Sequence, residues 1–108
     1  MPNLETLYRS TTPKLILHIK DPEFDMESID QAHITIENDS GRNKKIFTET
    51  AINIEDRTIS IEMTQEDTLS FEPGCLNVQL KIRTTDGLVL ASKIITSSIS
   101  RILEEDIL

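Results

Sequence analysis

The sequence predicts an all-β fold, an antiparallel immunoglobulin-like β-sandwich of about six to eight strands with one short helical turn near residues 64–70. Apolar residues recur at every second position in several segments, which is the period of a half-buried strand. Turn-forming residues separate these segments at short intervals, and no long segment has the period of an amphipathic helix. The chain has the usual size of one domain, so a single sandwich over residues 1–108 is expected.

Alternation of apolar and polar side chains predicts six strands. In chain order they are KLILHIK (residues 14–20), AHITIEN (32–38), KKIFTE (44–49), TISIEM (58–63), LNVQLKIR (76–83) and LVLASKIITSSIS (88–100). The last segment is rich in β-branched residues, and its alternation slips near Lys93, which predicts a bulge there. Because the chain has three Phe, one Tyr and no Trp, the core is expected to consist mainly of Ile, Leu and Val.

Glycines mark the predicted reversals of the chain. Gly87 in TDG can adopt positive φ and predicts a hairpin between two strands. Gly41 lies in the loop NDSGRN, after which KKIFTE is expected to pair back.

The segment TQEDTLSFEPGC (residues 64–75) gathers three carboxylates, two threonines and the single cysteine of the sequence. Thr64 and Asp67 have the spacing of a capping box, with Asp where Glu or Gln is usual, and therefore predict one helical turn. Pro73 and Gly74 are expected to end this turn before the next strand. The alternative, a metal or acid–base site, lacks a histidine nearby in the sequence. These four residues are therefore predicted to form a structural corner.

The remaining chemistry-bearing residues favour structural roles. Acidic residues alternate in DPEFDMESID as in an EF-hand loop, but Met26 and Ala32 replace the required Gly and Glu, so a solvated acidic loop is predicted. His18 and His33 lie on different strands and are expected at the surface or half buried. Cys75 is expected to be a buried thiol, because free cysteine is among the most buried residue types. No catalytic residue, metal site or cofactor is predicted.

Charge and hydropathy limit the classes of partner and the cellular location that are expected for the protein. Eleven basic and nineteen acidic side chains give a net charge of -8, which would repel a phosphate backbone, so nucleic acid is not an expected partner. No apolar run approaches the roughly 20 residues that cross a membrane, and the start of the sequence lacks the pattern of a signal peptide. The protein is therefore expected to be cytoplasmic when synthesised.

The segment ISRILEEDIL is apolar where chain termini are usually polar. Either it packs on its own sandwich or it docks on a neighbouring subunit. Our hypothesis is a subunit contact formed by Ile102, Leu103, Ile107 and Leu108.

The segments YRSTTPKLILHI, RTISIEMTQEDTLSFEPG and LNVQLKIRTTDGLVLASKIITSSISRIL, with the ending EEDIL, resemble a family of small Firmicutes prophage and phage proteins. The order of these parts is also similar, more distantly, to the N-terminal β-sandwich domain of phage baseplate upper proteins. Ser10 departs from the pattern, because relatives often carry Gly there. The shared motifs hold no chemistry-bearing residue.

The resemblance implies a non-catalytic structural or assembly module that is associated with a phage virion, tail or baseplate. Its expected partners are copies of itself, phage tail or baseplate proteins, or both, and the virion is its expected final location. Pro13 is expected to reduce strand pairing where the first predicted strand begins. The alternative function is a host-surface or carbohydrate-binding module, which the scarcity of aromatic residues disfavours.

Overall fold

In the computed structural model, which describes residues 5–108, two β-sheets pack face to face and one short α-helix connects them. The elements are β1 (Leu7–Tyr8), β2 (Lys14–His18), a 3-10 turn (Met26–Ser28), β3 (Ile29–Asn38), β4 (Lys45–Phe47), β5 (Ala51–Asn53), β6 (Thr58–Glu62), α1 (Gln65–Leu69), β7 (Gly74–Thr84), β8 (Val89–Ala91) and β9 (Ile95–Ser100). The predicted β-sandwich with a single helical turn is confirmed. No helix within the described range is long and apolar enough to span a membrane.

The larger sheet is organised around β7. Its strand order is β1-β9-β7-β3-β4, and β8 also pairs with β7. Since β3 occupies one side of β7, the strands β9 and β8 follow one another along its other side. The smaller sheet has the order β2-β6-β5. Within the described residues, β1 and β9 form a parallel pair and the other pairs are antiparallel.

The core lies between the two sheets and is built from the predicted inward faces of the strands. Alternate residues of β3 and β7 are buried, as their sequence periodicity predicts, whereas in β6 the polar Thr58 and Ser60 are buried as well as Ile59 and Ile61. Phe71 is the one aromatic side chain among the buried core residues of the described chain, and Met26 and Met63 fill further space. The expectation of a core made mainly of Ile, Leu and Val is therefore confirmed.

The bulge predicted near Lys93 interrupts the last predicted strand and divides it into β8 and β9. Lys81 faces Ala91, whereas Val78 faces Ile95, so one extra residue is accommodated between the two pairings. The hydroxyl of Ser92 accepts the backbone N–H of Leu80 at 3.0 Å, so a side chain replaces a ladder bond at this point.

Two short strands were not predicted from the sequence. β1 has two residues, and β5 has three exposed residues without apolar alternation. Their pairing with β9 and β6 depends on the tertiary fold, because neither segment has a strand pattern of its own.

The expected burial of Cys75 is wrong. Its side chain is exposed at the start of β7. The inward-facing positions of β7 begin at Leu76 and continue at Val78, so strand alternation places Cys75 on the outer face.

Candidate protein interaction surface

The corner at residues 64–75 carries the chain from the smaller sheet to the larger one. The Thr64 hydroxyl accepts the backbone N–H of Asp67 at 3.0 Å, and the Asp67 carboxylate accepts the backbone N–H of Thr64 at 2.8 Å. This reciprocal pair is a complete capping box, which begins α1. Gly74 follows Pro73 with a φ of 135°, a conformation that L side chains rarely adopt, and begins β7.

Asp67 also connects the corner to the edge of the larger sheet. Its carboxylate accepts a hydrogen bond from the ammonium group of Lys45 on β4. Burial raises the pKa of the Asp67 carboxyl, but hydrogen bonds from Lys45 and Thr64 together outweigh burial and lower the pKa below its ordinary value. The carboxylate is therefore ionised at neutral pH and holds both partners.

Replacing Thr64 with alanine is expected to lower the free energy of unfolding by about 1 kcal/mol, because α1 loses its N-cap. Urea denaturation followed by circular dichroism would measure the change. Thr48→Ala is a matched control, since Thr48 is exposed and its side chain has no hydrogen bond to the described part of the protein. Equal losses in the two variants would contradict the capping role.

Residues 101–108 follow β9 without regular secondary structure. Polar contacts nevertheless fix this segment to the domain near the beginning of β2 and α1. They are Arg9 Nη1 to Glu105 Oε1 at 2.7 Å, Ser10 Oγ to the Asp106 carbonyl at 3.2 Å, and the Leu108 N–H to Gln65 Oε1 at 3.2 Å. The backbone of the segment thus has a defined position.

The same arrangement leaves large apolar side chains in solvent. The exposed fraction is 99% for Leu103, 95% for Leu108 and 55% for Ile107, whereas Ile102 is half buried. We call Leu103, Ile107 and Leu108 the 103–108 apolar patch. Three of the four predicted contact residues therefore lie on an accessible surface, and the domain partly covers the side chain of Ile102.

An open strand edge lies on the smaller sheet. Within the described residues, β2 pairs with β6 alone. The Pro13 carbonyl accepts a backbone N–H at one end of this pairing, at 2.9 Å, and the Ile19 N–H donates at the other end, at 2.8 Å. Backbone groups alternate between the two sides of a strand, so the even-numbered residues of β2 direct theirs to the open side. These residues are Lys14, Ile16 and His18.

The position of Pro13 shows which side of β2 lacks a donor where the strand begins. Pro13 has no N–H to donate, and its backbone faces β6, so the missing donor is on the β6 side and not on the open side. The open side of β2 therefore keeps all of its donors.

A shallow groove of about 710 Å³ follows the outer face of the smaller sheet. Thr58 and Ser60 of β6 form its floor and are buried although they face away from the core. Its walls come from the outward side chains of β2 on one side and from residues 51–56 on the other.

The other chemistry-bearing residues lie apart from one another. In the acidic loop, the carboxylates of Asp21 and Asp25 each accept a backbone N–H two residues later, at 3.0 Å. His18 is exposed on the smaller sheet and His33 half buried on the larger one, as expected. Among residues 5–108, no group of three or more His, Cys, Asp or Glu is placed to hold a metal ion.

Asn38 is a buried polar residue whose structural role was not predicted from the sequence. Its Nδ2 donates to the Glu72 carbonyl at 2.8 Å, and its Oδ1 accepts the Glu72 N–H at 3.0 Å and Asn43 Nδ2 at 2.8 Å. The signal was available, because Asn38 continues the inward-facing positions of β3 after Ile34 and Ile36. A polar side chain at such a position needs buried hydrogen-bond partners.

Comparison with known proteins identifies the fold and no more. No protein-family model matches the chain, and no curated protein sequence is significantly similar to it. Among solved structures, the chain is similar to CopC from Methylosinus trichosporium OB3b, with a TM-score of 0.50 and 12% sequence identity over 89% of this chain and 84% of that chain. This similarity confirms a mostly β, two-sheet sandwich of the CopC-like, immunoglobulin- or cupredoxin-like type.

The family resemblance inferred from the sequence motifs is wrong. The structural similarity is to CopC, and no family model supports membership in the prophage and phage family or a relation to baseplate upper proteins. The motifs that suggested it are strands, turns and a helix cap, which proteins of similar fold can share without common descent.

Proposed function

We propose that the protein is a non-catalytic interaction module, and that its 103–108 apolar patch contacts a second copy of the chain. The observation that supports the proposal is the combination of a fixed backbone and exposed apolar side chains in residues 101–108. Burying one such side chain contributes roughly 1.5–3 kcal/mol. Because the backbone is already held by the domain, less conformational entropy is lost when the patch binds.

The charges of the segment limit how two copies can meet. Glu104 and Asp106 are exposed between the apolar residues, so two patches facing each other would bring carboxylates together. The patch of one copy is therefore proposed to contact a different face of the next copy, in a head-to-tail arrangement. Such contacts close into rings or continue as open assemblies.

Replacing both Leu103 and Leu108 with serine is expected to reduce self-association at least tenfold, because the contact loses its two most exposed apolar side chains. Sedimentation velocity over a range of protein concentrations would measure the apparent dissociation constant. Ile46→Ser is the control, since Ile46 is 54% exposed on β4, on the larger sheet. A wild-type protein that stays monomeric throughout, or equal effects of the two variants, would refute the proposal.

The association with a phage virion, tail or baseplate is a separate prediction. This prediction depended on the family resemblance, which the structural comparison contradicts. In addition, no contact among the described residues supports it. Mass spectrometry of purified phage particles would detect the protein if it belongs to one.

A carbohydrate-binding module is the weaker candidate. Tyr8 is 50% exposed, whereas Phe71 is buried and Phe24 and Phe47 are partly buried against the core. Stacking on a sugar ring needs an accessible aromatic face. Tyr8 by itself offers little area for such a contact.

A further inference from the structure

The open edge of β2 has unused hydrogen-bonding capacity. The backbone N–H and C=O groups of Lys14, Ile16 and His18 point away from β6, and no group within residues 5–108 bonds to them. An edge of this kind is a template for pairing with another strand. The edge extends over five residues, which is an ordinary strand length.

The segment that contains this edge is basic in an otherwise acidic chain. Residues 6–20 hold two lysines, one arginine and one histidine and no Asp or Glu, although the whole chain has a net charge of -8. Lys14, His18 and Lys20 are exposed, and none of them forms an ion pair with a described residue. The ammonium groups of Lys14 and Lys20 and the imidazole of His18 are therefore available to a partner.

Three acidic groups of the smaller sheet and the outer groove lie on the side of β2 away from its open edge. Glu62 faces Lys14 across the β2–β6 pairing, on the side away from the open edge. Glu55 and Asp56 line the far wall of the outer groove. Asp56 already bonds to Asn53 through its carboxylate, at 3.0 Å.

The outward side chains of β2 define the pattern that a bound strand would meet. Ile16 is 41% exposed and lies between Lys14 and His18 on the outer face. Side chains that face one another across an antiparallel pair interact directly. A complementary strand therefore carries an apolar side chain between two carboxylates on alternate residues.

We propose that the open edge of β2 binds an extended acidic segment of another protein as an added antiparallel strand. Main-chain hydrogen bonds to Lys14, Ile16 and His18 supply affinity, and the alternating carboxylates supply specificity. Two copies of this edge would instead set basic side chains opposite one another, which is unfavourable, and lysine on an edge strand opposes self-pairing. This site is separate from the 103–108 apolar patch and does not depend on self-association.

Fluorescence anisotropy with a labelled peptide tests the proposal on the full-length protein. The probe is Val-Glu-Val-Val-Val-Glu-Val, which places Glu, Val and Glu on one face of a strand, and the control peptide carries Lys in place of both Glu residues. We expect saturable binding of the probe and at least tenfold weaker binding of the control. Equal binding of the two peptides would overturn the role of charge and with it the proposal.

Proline substitutions locate the binding edge. Ile16→Pro removes an N–H that points to the open side of β2, and is expected to weaken probe binding at least tenfold. Ile52→Pro is the matched control, because the same alternation directs the Ile52 N–H to the open side of β5. Equal losses in both variants, or none in either, would overturn the assignment to β2.

A charge reversal keeps the test decisive if Ile16→Pro does not fold. Lys14→Glu is expected to weaken binding of the Glu probe and to strengthen binding of the Lys peptide. If Lys14→Glu still preferred the Glu probe over the Lys peptide as strongly as the wild-type protein does, the proposal would be overturned.

Two further results would also overturn the proposal, because each would identify a second copy of the chain as the occupant of the edge. The first is exclusive binding of a peptide with the sequence of residues 101–108. The second is loss of self-association in Ile16→Pro.

Discussion

Replacing Phe71 with alanine is expected to lower the free energy of unfolding by about 3–5 kcal/mol, the usual cost of removing an aromatic side chain from a packed core. Phe71 is 1% exposed and lies within the corner at residues 64–75, two residues after the end of α1. It packs in a core made otherwise of aliphatic and methionine side chains, so its loss leaves a cavity that smaller neighbours fill only in part.

Urea denaturation would record this loss as a lower midpoint with an unchanged slope. Phe24→Ala is a suitable comparison, because Phe24 is only partly buried against the same core and should cost less. Phe71→Leu keeps most of the apolar volume and should fall between the two variants. A Phe71→Ala protein no less stable than Phe24→Ala would show that Phe71 does not anchor the core.

Replacing Asn38 with leucine is expected to cost about 2–3 kcal/mol, because the N–H and C=O groups of Glu72 lose their partner together. These two hydrogen bonds tie the end of β3 to the residues before β7. Besides the lower stability, faster hydrogen exchange of the Glu72 amide is expected, and nuclear magnetic resonance would measure it.

Gln31→Leu is the matched control for Asn38→Leu. Gln31 carries an amide on the same strand, but its side chain is exposed and has no hydrogen bond within the described residues. The control should change stability by less than about 0.5 kcal/mol. An Asn38→Leu variant as stable as this control would mean that water replaces the lost contacts.

The strands that carry their own pattern could be predicted from the sequence. β3, β6 and β7 alternate apolar and polar residues along their length, and burial follows that alternation in β3 and β7, whereas in β6 the polar residues are buried too. β5 could not be predicted in this way, because Ala51–Asn53 is exposed and becomes a strand only through its pairing with β6. β1 likewise depends on β9, which lies at the other end of the sequence.

Contacts between residues that are close in the sequence could also be predicted. Contacts between residues that are far apart in the sequence could not. Thr64 and Asp67 are three residues apart, so their hydrogen bonds belong to one motif. The pair of Lys45 with Asp67 and the pair of Arg9 with Glu105 join residues that only the folded sandwich brings together. Sequence reasoning could name Leu103 and Leu108 as apolar, but their exposure follows from how the domain holds the segment's backbone.

The parallel pairing of β1 with β9 also has a consequence for synthesis on the ribosome. The side chains of Thr6 and Ser98 are in contact across a sequence separation of 92 residues, and Leu7 faces Ile99. Among the described elements, β1 is translated first, yet its partner strand β9 is translated last. Until residue 100 has emerged, the nascent chain holds Leu7 without the strand that covers it, and the larger sheet cannot be completed.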